Sequence, residues 1–233
     1  MSDQNMFVVT PRLKKPPILS ARRVFGARRR VDRAIKRSFD LGTAMVALAL
    51  LLPLLVLVAL TIWAADGGPP FYSHQRVGRD RRRFGCLKFR TMRVDSQEAL
   101  ARHFAENPDA LTEWTRFRKL RHDPRITPIG YVLRKSSLDE LPQLINIVRG
   151  DMSVVGPRPI VDSEVEQYGD AASAYFAVRP GLTGIWQVSG RSDTTYAERV
   201  RLDRQYVETQ SFIGDILIIL RTMPAVFLVR GSY

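Results

Sequence analysis

Two adjacent carboxylates near the middle of the chain, Asp139 and Glu140, are the side chains best suited to chemistry. They follow a basic pair, Arg134 and Lys135, and two serines, and an apolar run begins directly after them. An aspartate can attack phosphorus and form a covalent intermediate, and a neighbouring carboxylate can hold Mg²⁺ together with a substrate's phosphates. This stretch therefore favours chemistry on a phosphate group.

The same residues also fit a purely structural interpretation. Ser137 and Glu140 have the S-x-x-E spacing of a capping box, in which two side chains bond to backbone N–H groups at a helix start. Asp139 is a suitable N-cap in its own right. A helix start that holds the two acids is also compatible with catalysis, because the positive end of a helix attracts phosphate. On spacing alone, both interpretations stay open.

Several cations elsewhere in the chain are candidates for binding a diphosphate. Lys88 and Arg90 alternate with apolar residues in a predicted strand and would project from one face. Arg158 lies between two prolines, which restrict its backbone and present a rigid guanidinium. Arg191 occupies a later glycine-containing loop. The alternatives are an ordinary solvated strand face for the first pair and a structural turn around Arg158.

One long apolar segment must place this chemistry at a membrane. The chain carries no charge between Asp40 and Asp66, and about 20 apolar residues suffice to cross a bilayer. Pro53 lies near the centre, where it removes a backbone hydrogen bond and bends a helix. Basic clusters flank both sides, and a simple span would place one of them outside the cell, against the positive-inside tendency. We therefore predict a re-entrant anchor over residues 36–66, with a plain span as the alternative.

The remaining patterns predict the domain organisation. Residues 1–35 are basic and contain prolines, which is typical of a flexible N-terminal arm. Residues 71–90 predict a β-hairpin. The apolar run at 212–229 fits a helix lying in the plane of the membrane surface or one packed on the domain. Residues 67–233 are predicted to form one catalytic domain. The predicted fold is α+β and mostly helical, with a re-entrant N-terminal membrane helix, a small β-hairpin and interfacial amphipathic helices around a membrane-surface active site.

Composition limits the partners and the site classes. The formal net charge of +13 predicts attraction to nucleic acid, anionic lipid head groups or phosphorylated substrates, and charge alone does not choose among them. The sequence carries no recognised nucleic-acid motif, and its aromatic residues are not interleaved with the basic runs as stacking platforms would be. The single cysteine, Cys86, excludes an intramolecular disulfide. A non-enzymatic, membrane-tethered basic protein that binds anionic lipid or nucleic acid is the alternative to an enzyme.

Five motifs, in the same order along the chain, resemble those of the bacterial sugar transferases, the monotopic phosphoglycosyl transferases that use polyprenol phosphate. The motifs are Lys36-Arg37-x-Phe39-Asp40, Lys88-Phe89-Arg90-Thr91-Met92, Leu133-Arg134-Lys135-x-Ser137-Leu138-Asp139-Glu140-Leu141-Pro142-Gln143, Val155-Gly156-Pro157-Arg158-Pro159 and Arg179-Pro180-Gly181-Leu182-Thr183-Gly184. The resemblance is closest to the undecaprenyl-phosphate galactose phosphotransferases that initiate exopolysaccharide biosynthesis. One departure is Leu52, which stands where the family commonly has a serine before the proline of the anchor.

The resemblance implies a two-step transfer on the cytoplasmic face of the bacterial inner membrane. Asp139 would attack a UDP-sugar, with galactose favoured and glucose as the alternative, and would form a covalent phosphosugar intermediate with release of UMP. Undecaprenyl phosphate would then accept the sugar phosphate, and Glu140 would hold Mg²⁺. The implied phosphate-binding residues are Arg134, Arg158, Lys88, Arg90 and Arg191. Membrane lipids are further partners, and a homodimer stays open because an apolar surface can contact lipid or a second copy.

Overall fold

The computed structural model describes residues 28–117, 120–190 and 194–227. Within these residues the helices are α1 (Arg28–Asp66), α2 (Ser96–Glu106), α3 (Pro108–Phe117), α4 (Pro128–Ser136), α5 (Gln143–Arg149), α6 (Ala172–Tyr175), α7 (Ile185–Val188), α8 (Tyr196–Thr209) and α9 (Phe212–Phe227). The strands are β1 (Phe71–Val77), β2 (Arg83–Phe89), β3 (Ser153–Val155) and β4 (Gly181–Thr183). The mostly helical α+β prediction is confirmed. Most of the predicted arm, residues 1–27, lies outside the described residues, and α1 begins at Arg28.

Two small sheets support the centre of the domain. Strands β1 and β2 form the predicted antiparallel hairpin, with Phe71 opposite Phe89. Strands β3 and β4 pair in parallel, with Ser153 opposite Gly181. The backbone of Gly156 lies so close to Gly181 that neither position has room for a Cβ atom. This close approach holds the loop after β3 against β4.

The long helix α1 packs on the domain through one face. Its buried positions include Ala44, Leu55, Val58 and Ile62, which recur at helical spacing and contact two hydrophobic clusters of the domain. The opposite face exposes large apolar side chains: Met45, Val46, Leu50, Leu52, Val56, Leu57, Leu60 and Trp63. In the described part of the chain, one helix, over Arg33–Asp66, is long and apolar enough to cross a membrane. α1 is continuous through Pro53.

Buried charges fix the start of α1. Asp40 is 2 % exposed and accepts hydrogen bonds from Ser153 Oγ at 2.7 Å and from the backbone N–H of Val154 at 3.0 Å. The Nζ atom of Lys36 lies 2.7 Å from the carboxylate of Asp215 on α9. A buried charge without a partner is strongly destabilising, so these contacts determine how α1 sits on β3 and α9.

Both ends of α1 contact the same domain. Lys36 contacts α9 near the start, and Asp66 at the end pairs with Arg90, which follows β2. Asp66 follows Lys36 by 30 positions, which corresponds to about 45 Å along a straight helix because each residue adds about 1.5 Å. The domain therefore lies alongside α1 and contacts it near both ends.

The side-chain amide of Asn146 on α5 completes the free edge of β2. Its Oδ1 accepts a hydrogen bond from the N–H of Leu87 at 2.9 Å, and its Nδ2 donates to the carbonyl of Gly85 at 2.8 Å. These two bonds satisfy backbone groups that a neighbouring strand would otherwise pair. The strand that carries Lys88 is thereby held against the helix that follows Glu140.

We predict that Asn146→Ala lowers the free energy of unfolding by about 3 kcal/mol, because two backbone groups of β2 lose their partners and each unpaired buried group costs about 1–3 kcal/mol. Thermal and denaturant unfolding in detergent micelles measures the loss. Gln97→Ala, on the exposed face of α2, is the control and should change stability by less than about 0.5 kcal/mol. Equal stability of the two variants would contradict the role of Asn146.

Candidate active site

Asp139 and Glu140 lie on a short 3₁₀ turn, Leu138–Glu140, between α4 and α5. The predicted capping box is wrong, because Ser137 ends α4 and its side chain makes no capping hydrogen bond to this turn. Asp139 is not an N-cap either, since Pro142 precedes the first residue of α5. The φ angle of Ser137 is 58°, a left-handed conformation that costs an L-residue about 1–2 kcal/mol. The backbone thus adopts an energetically unfavourable conformation just before the two acids.

Glu140 is held between two cations. Its Oε1 accepts hydrogen bonds from Lys88 Nζ at 2.7 Å and from Arg158 Nη2 at 3.2 Å. Burial alone would raise the pKa of Glu140, but the charges and hydrogen bonds of Arg158 and Lys88 outweigh it and lower the pKa to about 2. Glu140 is therefore ionised throughout the physiological range.

Asp139 has a different environment from its neighbour. It is buried, and its Oδ2 lies 3.7 Å from Lys88 Nζ, which is too far for a hydrogen bond. Burial raises the pKa of Asp139, and the charge of Glu140 adds to this effect, whereas Lys88, Arg134 and Arg158 oppose it. Two adjacent carboxylates whose pKa values are shifted in opposite directions are typical of an active site with separate roles for each.

Of two predicted arginines, Arg158 contacts this pair and Arg134 interacts with it electrostatically. Arg134, in the last turn of α4, donates from Nε to Thr91 Oγ1 at 2.8 Å. Burial lowers the pKa of Arg134, and among the charges that oppose this shift the effect of Asp139 is the largest. Arg158 contacts Glu140 directly, and its guanidinium carbon lies 5.7 Å from the ring centre of Trp186. The indole face supports a cation there.

The remaining predicted cations separate. Lys88 contacts both acids, whereas Arg90 forms its ion pair with Asp66 at the end of α1. The structure therefore brings Lys88, but not Arg90, into contact with the carboxylate pair. Arg191 lies outside the described residues, so its role stays a prediction.

A cleft beside Glu140 contains residues that the sequence reasoning missed. Its walls include Arg76, Lys88, Glu140, Gln143, Arg158 and Leu182. Strand alternation could have indicated Arg76. Tyr72 is opposite Lys88, and Arg76 lies four residues after Tyr72 in the same strand, so Arg76 and Lys88 share one face of the hairpin. Helical spacing held a signal for Gln143, three residues after Glu140.

The donor set fits Mg²⁺ only with help from a substrate. Among the described residues, no group of three His, Cys, Asp or Glu side chains could hold a metal ion. Asp139 and Glu140 supply two neighbouring carboxylates, and Mg²⁺ is commonly bound by one or two carboxylates together with substrate phosphates and water. The pair is therefore chemically suited to share this ion with a diphosphate.

Comparisons with known proteins identify the class. The sequence profile of the bacterial sugar transferases matches residues 31–229. The chain is 54 % identical over 208 residues to exopolysaccharide production protein ExoY of Rhizobium meliloti (strain 1021). The match covers 89 % of this chain and 92 % of that protein.

Two longer relatives are also similar. The chain is 46 % identical over 205 residues to the undecaprenyl-phosphate galactose phosphotransferase of Salmonella typhimurium, covering 88 % of this chain and 43 % of that protein. It is 36 % identical over 211 residues to the UDP-glucose:undecaprenyl-phosphate glucose-1-phosphate transferase of Escherichia coli (strain K12). This match covers 87 % of this chain and 42 % of that protein. The chain thus spans less than half the length of these two relatives.

We predict that the pKa of Asp139 lies above the 3.8 of an ordinary aspartate and responds to its neighbours in opposite directions. Glu140→Gln should lower this pKa because a like charge is removed, and Lys88→Met should raise it because an opposite charge is removed. A ¹³C NMR titration of labelled aspartate carboxyls measures both shifts, with Asp139→Asn used to assign the resonance. Shifts in the reverse directions, or none, would contradict the described electrostatics.

Proposed function

The chain belongs to the bacterial sugar transferase family, and from this premise we propose that it transfers a hexose 1-phosphate from a UDP-sugar to undecaprenyl phosphate. The products are undecaprenyl-diphosphate-hexose and UMP. The observation that carries the proposal is the contrast between the paired Glu140 and the buried, more weakly paired Asp139. Membership of an enzyme family also favours this function over a non-enzymatic lipid-binding role.

In the first step, a carboxylate oxygen of Asp139 attacks the phosphorus that carries the sugar. The bond from this phosphorus to the bridging oxygen breaks, and UMP leaves with the electron pair. The product is a covalent phosphosugar on the carboxylate of Asp139. Lys88 and Arg158 contact the acidic pair and Arg134 interacts electrostatically with Asp139, which supports a role for these cations in neutralising the charge that develops. Phosphoryl transfer depends chiefly on such positioning and charge neutralisation.

In the second step, a phosphate oxygen of undecaprenyl phosphate attacks the same phosphorus. The bond to Asp139 breaks, which restores the carboxylate and completes the diphosphate link between lipid and sugar. The acceptor phosphate is already ionised at neutral pH, so no general base is required. Asp139 is suited to both steps because it is not tied up by a hydrogen bond from the neighbouring cations.

Glu140, with Asp139 beside it, is the residue that would hold Mg²⁺. When bound there, the ion would neutralise charge on the phosphates of the donor. The Oε1 atom of Glu140 is engaged by Lys88 and Arg158, which leaves Oε2 as its available ligand atom in this arrangement. The two cations would thereby leave the second oxygen of Glu140 for the ion.

Galactose is the proposed sugar, and exopolysaccharide initiation is the proposed setting. The similarity to the Salmonella relative named for galactose, at 46 %, exceeds that to the Escherichia relative named for glucose, at 36 %. The similarity to an exopolysaccharide production protein over nearly its whole length supports the setting. Glucose 1-phosphate transfer by the same mechanism is the alternative.

The membrane arrangement is also a proposal. We infer that α1 is re-entrant and lies in the cytoplasmic leaflet of the bacterial inner membrane. A helix that crossed the bilayer would have its ends on opposite sides, where one domain could not contact both, yet Lys36 and Asp66 each contact this domain. The exposed apolar face of α1 then meets lipid, and the active site lies where a lipid phosphate and a soluble nucleotide sugar can meet.

We predict that incubation with UDP-galactose and Mg²⁺, without a lipid acceptor, releases UMP and adds a hexose phosphate to the peptide that holds Asp139. Mass spectrometry of the digested protein locates the adduct, and added undecaprenyl phosphate should remove it. Asp139→Asn should abolish both UMP release and lipid product, because the amide is a poor nucleophile. Confirmed turnover with an unmodified peptide would instead favour direct transfer.

Control reactions separate the finer parts of this proposal. Asp109→Asn, an exposed aspartate in the first turn of α3, is the matched variant and should leave adduct formation unchanged. Chelation of Mg²⁺ by EDTA should prevent UMP release until excess Mg²⁺ is restored. UDP-glucose should react more slowly than UDP-galactose, and the reverse order would assign glucose as the sugar.

A topology experiment tests the re-entrant anchor. We predict that Arg33→Cys and Pro69→Cys, placed on either side of the apolar segment in a Cys86→Ala background, react with a membrane-impermeant thiol reagent from the cytoplasmic side. Leu50→Cys, on the exposed apolar face of α1, should be protected by lipid. Labelling of the two flanking positions from opposite sides would show that α1 crosses the membrane.

A further inference from the structure

Gln143 presents a side-chain amide to the cleft beside Glu140 without an internal partner. The residue is 3 % exposed, yet it lines this cleft. Among the described residues, none makes a hydrogen bond to its side chain. The charged groups on the same walls are paired, since Lys88 and Arg158 both contact Glu140. Because Gln143 lines the cleft, a molecule that occupies the cleft can complete the hydrogen bonds of its amide.

The charge of the cleft indicates what that partner is. Three cations, Arg76, Lys88 and Arg158, line the cleft with one carboxylate, Glu140. This excess of positive charge selects an anion, and the amide NH₂ group of Gln143 can donate to an anionic oxygen. A fourth cation at this position would be repelled by the other three. A neutral donor adds a contact without that repulsion.

We propose that the side-chain NH₂ of Gln143 donates a hydrogen bond to a non-bridging oxygen of the phosphate that is transferred. The inference rests on the proposed function, because it takes the two-step reaction at Asp139 as given. Gln143 begins α5, three residues after Glu140, and so places its amide beside the carboxylate that anchors Lys88 and Arg158. The transferred phosphate occupies the site in both half-reactions, whereas UMP leaves after the first.

Single-turnover kinetics with radiolabelled UDP-galactose tests the assignment. The first measurement is the rate of adduct formation on Asp139, and the second is the rate of adduct loss after undecaprenyl phosphate is added. Gln143→Met keeps a similar length but removes the donor, and it should slow both rates by about 10- to 100-fold, the range expected for a hydrogen bond to a charged group. Gln205→Met, on the exposed face of α8, is the matched control and should leave both rates unchanged.

A second variant gives a readout that a purely structural role would not produce. Gln143→Glu has nearly the same shape, but its carboxylate repels phosphate near neutral pH and donates a hydrogen bond only when protonated. The ratio of its rate to that of the wild type should therefore rise as the pH falls. The other titratable groups on the cleft walls are common to both proteins: Arg76, Cys86, Lys88, Glu140 and Arg158.

Each outcome decides between the alternatives. Wild-type rates in a Gln143→Met protein that keeps the wild-type melting temperature would overturn the assignment. A slowing confined to the UMP-releasing step would also overturn it, because that result places the contact on the nucleotide. If the wild type itself forms no adduct while turning over, the covalent mechanism fails and this inference fails with it.

Discussion

The two hydrogen bonds that converge on one oxygen of Glu140 tie together three segments that are far apart in sequence. Lys88 comes from β2, Arg158 from the loop after β3, and Glu140 from the turn between α4 and α5. Removing either cation would leave a largely buried carboxylate short of charge compensation, which is costly. The same contacts keep Glu140 ionised and leave Asp139 as the carboxylate that is not held by a hydrogen bond. One electrostatic requirement thus distinguishes two chemically similar neighbours.

Contacts of the surrounding scaffold hold these three segments in position. Asn146 attaches β2 to α5 through backbone groups, so Lys88 and Glu140 are positioned by neighbouring residues that carry no charge. The close approach of Gly156 and Gly181 holds the loop that carries Arg158. Behind both, α1 covers the hydrophobic clusters with one face and exposes large apolar side chains on the other. The proposed position of the active site at a membrane depends on that division of one helix.

The sequence predicted features that depend on local periodicity. The hairpin followed from alternating residues, and the end of α1 at Asp66 followed from the end of an uncharged run, whereas its start at Arg28 did not follow from that run. The acidic pair and the prolines around Arg158 were recognisable because each is a short contiguous stretch of sequence. The predictions that failed or missed residues concern side-chain partners. The capping box at Ser137 was wrong because Glu140 finds its partners 52 and 18 residues away, and spacing rules consider only near neighbours.

Other residues show the same limit. Arg90 shares a strand pattern with Lys88, but its partner Asp66 lies at the end of α1, a pairing that no alternation rule contains. Gln143 lies within one of the family motifs but was not singled out, because its spacing from Glu140 indicates a shared face and carries no information about a cleft. Pro53 predicted a bent anchor helix. α1 continues as helix on both sides of the proline, where tertiary contacts can support it, and the bend stays a prediction.

The polar contacts at the start of α1 also impose an order on biogenesis. Ser153, the partner of Asp40, is synthesised 113 residues after it, and Asp215, the partner of Lys36, follows 179 residues later. The apolar segment emerges from the ribosome long before either partner exists, so Lys36 and Asp40 lack these two partners during most of translation. Docking of α1 is consequently a late event with a high contact order, and it awaits the last helix of the described chain.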